Sequence, residues 1–305
     1  MNLPPLPLEA WRDTAQTLHR CTQIVGKVQL ALTPRLNHFW NVAFEVAPSG
    51  LRTPAIPAGA RTFSVEFDFV EHNLVVRTSD DDVRALALVP RPVADFYRDF
   101  MEILASLEID VAIRDLPVEL PEPPIAFHED RLHAAYDAKA VGRWWQVLWW
   151  SAQVFEEFRT RFVGKSSPVQ FWWGSFDLAV SRYSGRPAPP LPGGDRIQRE
   201  AYLHEVSSAG FWPGDARYPA PAYYAYTVPA PSGLAEARVL PADAFWHREL
   251  GEFLLPYEAI RGAADPRQQL LEFLQTTYEA GVGLAGWDRA ALERTLETAA
   301  PPPPG

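Results

Sequence analysis

His204, Glu205, Ser207 and Ser208 fall within five positions of one stretch, AYLHEVSSAGFWPG at 201–214. Imidazole is the side chain whose ordinary pKa lies nearest neutrality, so His204 is a candidate general acid/base or metal ligand. Glu205 adds a carboxylate, and the two serines add hydroxyls that can donate, accept or act as nucleophile. No known pattern is complete. Four residues after His204 stands Ser208, so H-E-x-x-H is absent, and G-x-S-x-G is absent too. In the plainer reading His204 binds the last carbonyls of a helix and the serines order the loop after it. Trp212, in the same stretch, is a candidate wall for an apolar ligand.

Other chemistry-bearing residues lie outside this stretch. In QFWWGSFDLAV, strand alternation puts Trp173, Ser175, Asp177 and Ala179 on one face, so Asp177 could act with His204 as partner or orienter. Arg182 falls in register with the opposite, apolar face and could grip a carboxylate ligand, or pair with a local acid. In SVEFDFVEH, Glu66 and Asp68 share a face at roughly 7 Å, a spacing for acid and base or for metal ligands, and equally for a solvated face. His38 shares a face with Trp40, Val42 and Phe44, as a ligand-binding group or as a buried neutral histidine. FHEDRLHAAYD holds His128, Glu129, Asp130, His133, Tyr136 and Asp137. If helical, it aligns His133 with Asp137, although acids that favour a helix start explain Glu129 and Asp130 more simply. VGK occurs at 25–27 and 163–165 without the phosphate-binding pattern G-x-x-x-x-G-K-[ST].

These residues need elements to position them. Helical spacing covers about 8–23, with Gly26 expected as its left-handed cap. Strands are expected at VQLALTP, HFWNVAFEVA, VRALALV and DVAIRD, with a hairpin in TFSVEFDFVEHNLVVRTS. A helix follows Pro92. Residues 115–127 carry four prolines and read as an extended connection. The second part offers a helix at about 139–162, a strand in VQFWWGSFDLAVSRY, a short helix at about 196–206 and a strand in AYYAYTV. Helices are then expected in ADAFWHRELGEFLLPYEAI, DPRQQLLEFLQTTYEAGVG and WDRAALERTLE. Element order repeats weakly: IVGK then HFWNVAFEV answers FVGK then QFWWGSFDL. The expected class is α+β, two weakly similar halves, each an antiparallel sheet with helices on one face. The halves would be 1–114 and 128–298, joined by 115–127 and ending in a frayed tail at 299–305, or together one integrated domain.

Composition narrows the function classes. Of 305 residues 47% are apolar and 22% charged, as in a folded globular protein. A formal charge of −10 argues against nucleic acid or anionic lipid as partner. Cys21 is the single cysteine, so no internal disulfide forms, and its apolar-periodic setting reads as a buried small residue. No basic-then-apolar leader opens the chain, and charged and amide residues interrupt VGRWWQVLWWSAQVFEEF, so a cytoplasmic location without a membrane span is expected.

The stretches FVGKSSPVQFWWGSFDLAVSRYSGR, REAYLHEVSSAGFWPG, RTFSVEFDFVEHNLVVRTS and LGEFLLPYEAIR resemble a bacterial family known as domain of unknown function 5996, over roughly residues 5–292. The resemblance implies one full-length family domain and carries no catalytic residue or cofactor with it. The leading expectation from the residues is a small-molecule enzyme with its pocket between the halves. His204 is its acid/base, Asp177 its partner, and Ser207 or Ser208 a polar contact. A non-catalytic binding or sensor protein with an aromatic pocket is the alternative. A metal enzyme using His204, His133 or His38 with Glu205 or Asp177 is the third.

Overall fold

The first apolar stripe forms α1 (Arg12–Leu32) in the computed structural model, which describes residues 2–190, 193–194 and 196–294. This helix overruns the strand expected at VQLALTP. Gly26 lies inside it, not at its end, because the Trp173 indole occupies the space that a side chain there would fill. The helix stops where Thr33 turns extended ahead of Pro34, and the Thr33 N–H bonds back to the Gln29 carbonyl at 2.9 Å.

Six short strands follow: β1 (Glu45–Val46), β2 (Gly50–Arg52), β3 (Ile56–Ala58), β4 (Arg61–Asp68), β5 (Asn73–Thr78) and β6 (Val83–Ala87). They pair antiparallel in the order β1-β2-β4-β5-β6, with β3 beside β4. Phe63, Val65 and Phe67 point into the core while Ser64, Glu66 and Asp68 alternate outward. The next helix, α2 (Val93–Ser106), buries Phe96, Phe100 and Leu104. Most of HFWNVAFEVA is a short helical turn, Asn37–Phe39, and loop; DVAIRD is not a strand, and FHEDRLHAAYD is not a helix. In that last segment Asp130 accepts from the Leu132 and His133 N–H groups, and Asp137 caps the next helix, so the acids hold turns instead of lining a helical face.

The second part also opens on a long helix ahead of its strands. After α3 (Ala138–Thr160) come β7 (Gln170–Trp172), β8 (Asp177–Pro187), a short α4 (Arg196–Ala201), β9 (His204–Trp212), β10 (Ala222–Val228), β11 (Phe245–His247) and β12 (Glu252–Pro256). Then follow α5 (Tyr257–Arg261), α6 (Pro266–Leu284) and α7 (Arg289–Leu292). The sheet order is β11-β12-β10-β9-β8-β7, again antiparallel. The architecture is α+β. Three expectations are corrected here. The stretch 170–183 is a hairpin turning at 173–176, not one strand. The opening stretch is a strand, not a helix end. The helix expected in ADAFWHRELGEFLLPYEAI is the β11–β12 hairpin plus α5. Phe253, Leu254 and Leu255 are buried in a row, and such a run reads alike in a buried strand and a buried helix. The expected tail at 299–305 lies outside the described residues.

One apolar cluster takes residues from both parts, among them Leu18, Phe67, Phe100, Trp144, Phe211 and Leu274. Phe44 and Phe171 exchange two backbone hydrogen bonds of 2.9 Å, joining the edges of the two sheets. The Trp173 indole N–H donates to the Val42 carbonyl at 2.7 Å. His19 on α1 meets the Gly174 carbonyl at 2.9 Å and stacks on Phe176. No helix among the described residues is long and apolar enough to cross a membrane.

Candidate functional site

The second sheet buries both faces, unlike the first. Leu178, Val180, Ala209, Phe211, Tyr223 and Ala225 join the main core on its inner face. Its outer face carries Asp177, Ala179, Ser181 and Tyr183 on β8, His204, Ser208, Gly210 and Trp212 on β9, Tyr224 and Tyr226 on β10, and Glu252 on β12. Asp177, Ala179, Tyr183, Ser208, Trp212 and Tyr224 there are all buried. A buried sheet face this rich in hydroxyls and carboxyls is not ordinary packing, since each polar group must find a partner.

Strand alternation splits the opening motif. His204 and Ser208 face outward, while Glu205 and Ser207 face the other side. There one oxygen of Glu205, Oε2, takes both the Nε of Arg186 at 2.8 Å and a terminal nitrogen at 2.7 Å. Glu205 is therefore no partner for His204. Asp177 is not its partner either. His204 pairs with Pro187 near one end of the β8–β9 ladder and Asp177 stands at the other. Trp212, at the level of Asp177, stands eight positions along β9 from His204, a length of about 26 Å at the usual rise.

His204 instead meets His38, with ring centroids 5.4 Å apart. His38 comes from the first part, in the turn between α1 and β1. It and Phe39 hold φ of 58° and 56°, a left-handed conformation that costs a non-glycine residue on the order of 1–3 kcal/mol and collects at functional sites. His38 is buried. Its Nδ1 lies 2.8 Å from the Ala201 carbonyl at the end of α4, so Nδ1 carries the proton and donates. Its Nε2 is then an acceptor and receives a hydrogen bond of 2.7 Å from Lys165 Nζ. Lys165 lies over the rings of Tyr183 and Trp40, at 4.9 and 5.3 Å from their centroids. Backbone pairing fixes it there: the Tyr183 N–H donates to the Lys165 carbonyl at 3.0 Å.

Burial sets the protonation of this cluster. It lowers the His38 pKa to about 4, against the opposing hydrogen bond that His38 donates to the Ala201 carbonyl and with help from Lys165 and His204. Burial, then Lys165, lowers that of His204, and burial lowers that of Lys165. No carboxylate contributes to any of the three. The buried Nδ1 of His204 has no hydrogen-bond partner. The cluster is thus three basic side chains, drawn from both parts of the chain, with no carboxylate among the described residues contributing to their shifts.

At the far end of the face, Asp177 accepts from Ser175 Oγ at 2.6 Å and from the Tyr224 hydroxyl. Burial raises its pKa despite these bonds. Glu252 is pushed up to about 8, by burial first and then by the charge of Asp177, with Arg217 opposing. Between the two ends Ser181 and Ser208 are 2.9 Å apart, and the hydroxyl of Tyr202 reaches that of Tyr226 at 3.4 Å. The face also bears Trp212, packed near Tyr218 and beneath Arg217 at 5.6 Å.

The remaining expected site residues have structural settings. Trp173 is spent on Val42 and Gly26. Arg182 is buried among Phe158, Phe162 and Tyr278, 3.4 Å from the Phe158 ring centroid, and donates to the Phe158 carbonyl near the end of α3. It therefore faces the core, where a ligand carboxylate does not reach. Glu66 takes a hydrogen bond from Ser49, and Asp68 Oδ1 accepts from the Val70 and Glu71 N–H groups at 2.8 and 2.9 Å to shape the β4–β5 turn. His133 bonds Asp130, which also lies 3.4 Å from Arg20. Among the described residues no group of three or more His, Cys, Asp or Glu side chains is arranged to hold a metal ion. Two surface hollows, of 390 Å³ beside Arg52 and Arg77 and of 500 Å³ along α2, lie away from His204.

Sequence reasoning missed Lys165, Tyr183, Tyr224 and Glu252. Lys165 stood in the repeated VGK, set aside for lacking a phosphate-binding pattern. Tyr224 was taken for core in AYYAY, and Glu252 fell in an expected helix. A model of a family of unknown function, DUF5996, matches residues 3–294. No curated protein and no solved structure matches the chain.

Proposed function

The chain belongs to the DUF5996 family, and we infer that it is a small-molecule enzyme whose substrate is an anion bound at the junction of the two parts by Lys165, His204 and His38. The observation carrying this reading is the convergence of three basic groups, with no carboxylate among the described residues acting on them, in a chain of formal charge −10. In a chain with ten surplus acids, the Lys165 amine and the N–H donors of the imidazoles offer a ligand's negative charge a favourable place. His204 is the proton carrier, because its Nδ1 has no protein partner and its imidazole, though burial lowers its pKa, can take up and give back a proton. Ser208, expected beside it, stands further along the same face and belongs to the hydroxyl seam. Binding without turnover is the second reading, favoured by the lack of a carboxylate to orient His204. The acidic composition and single cysteine suggest the cytoplasm, and the repeated order of long helix, antiparallel meander and helix suggests a duplication.

Thermal unfolding in the presence of small anions tests the reading. Inorganic phosphate, acetate or pyruvate should raise the midpoint by several degrees, since a ligand at a hundred times its dissociation constant stabilises a fold by about 2.7 kcal/mol. Tetramethylammonium chloride at equal ionic strength should not, and Lys165→Gln should abolish the response. Equal midpoints with all three anions and the cation control contradict the reading.

A further inference from the structure

The hollow on the first sheet is made by a change of partner. Strand β4 pairs with β2 over 66–68 and with β3 over 61–63, while β5 runs along its other edge. The chain passes from β2 to β3 through Thr53, Pro54 and Ala55, and Pro54 has no N–H to offer the ladder. Thr53 stands in, its hydroxyl accepting the Val65 N–H at 3.0 Å. The interruption leaves a hollow of 390 Å³ on the outer face, in the usual size range of small-molecule sites, about 300–1,000 Å³. Its charged lining is Glu45, Arg52 and Arg77, two bases against one acid. Glu45 takes one terminal nitrogen of Arg52 at 3.0 Å. Two acids nearby are also engaged, Glu66 by Ser49 and Asp80 by Arg61 at 2.9 Å. Among the described residues no hydrogen bond or ion pair reaches the Arg77 guanidinium or the hydroxyls of Thr62 and Ser64. Ser79 accepts the Thr62 N–H at 3.1 Å and keeps its own proton to give.

We propose that this hollow is a binding site separate from the junction, and that it takes a small polyhydroxylated carboxylate of the sugar-acid class. Arg77 is the cross-strand partner of Ser64 on the same face, so its planar fork and that hydroxyl open on one space. The fork matches a carboxylate with two parallel N–H donors. One negative charge is also what the lining lacks: Arg52 and Glu45 balance each other, and Arg77 is left over. The ligand's hydroxyls fall to those of Thr62, Ser64 and Ser79, each able to give and to accept. An exposed arginine by itself holds an anion weakly, because water competes for both charges. The hydroxyls supply the rest of the hold and the selectivity. Acetate lacks the hydroxyl contacts, and glucose lacks the charge.

The test follows the backbone amide NMR signals of Ser64, Thr78 and Ser79 in the full chain as sodium gluconate, sodium acetate or glucose is added. Each is also added to Lys165→Gln, which disables the junction, and to Arg77→Gln, an exposed position whose native fold circular dichroism checks. Gluconate should move the three signals together to saturation in the wild type and in Lys165→Gln alike. Arg77→Gln should weaken its binding by about tenfold or more, the loss expected for a hydrogen bond to a charged group. Acetate and glucose should each need concentrations higher by about tenfold or more. Signals unmoved by gluconate, or an equal response in Arg77→Gln, overturn the site. Acetate or glucose binding as tightly as gluconate overturns the sugar-acid class. A gluconate response lost in Lys165→Gln and kept in Arg77→Gln belongs to the junction, and that also overturns the proposal.

Discussion

Burial holds the His38 and His19 rings neutral, each with its pKa lowered to about 4, and holds Glu252 protonated up to about 8. The two kinds of group act in opposite directions. Between an ordinary imidazole pKa of 6.5 and about 4 the unfolded chain binds protons that the folded rings refuse, so stability falls as pH falls through that window. Glu252 keeps a proton in the folded chain that the unfolded chain releases above 4.5, so its contribution is complete below that value and is lost as pH rises through about 8. Urea unfolding at pH 7 and pH 9, both above the imidazole window, reads the second effect with little contribution from the first. Wild type should lose stability between the two values and Glu252→Gln should lose clearly less. Identical losses would show that the Glu252 carboxyl is not held protonated.

Two helical glycines separate packing from propensity at the scale of the element. At Gly26 in α1 the Trp173 indole fills the position of a Cβ, whereas at Gly142 in α3 nothing lies within 4 Å. Gly26→Ala should destabilise by about 1–3 kcal/mol through overpacking. Gly142→Ala should stabilise by about 0.5–1 kcal/mol through helix propensity. Denaturant midpoints of the two variants check this, and equal signs would refute the role given to Trp173. The same pair explains what was legible. Periodicity alone finds α2, α3 and α6, whose stripes are local. It stops α1 early, since Gly26 reads as a cap until the partner 147 residues away is seen. It also finds the outward face of β9 only once β9 is known to be a strand. His204 and His38 were legible by residue type, as groups able to carry protons. Their meeting was not, because it depends on a left-handed turn at 38–39 and on α4 closing against it. Asp177 was legible as buried chemistry but assigned to the wrong end of its sheet.

Over the whole molecule, polarity is arranged along one buried face. Raised carboxyls and tyrosines occupy one end, serine hydroxyls the middle and three basic groups the other. The basic end takes residues from both parts of the chain, through the turn that carries His38 and Trp40. That end is where the proposed anion would bind. The most direct measurement follows the imidazole NMR signals of the seven histidines while inorganic phosphate is added to the full chain near pH 7. The signals of His204 and His38 should move together and saturate, His204 the more because its Nδ1 is unpartnered, and neither should move in Lys165→Gln. Unmoved His204 and His38 signals, or a response confined to exposed His128, would contradict an anion site at the junction.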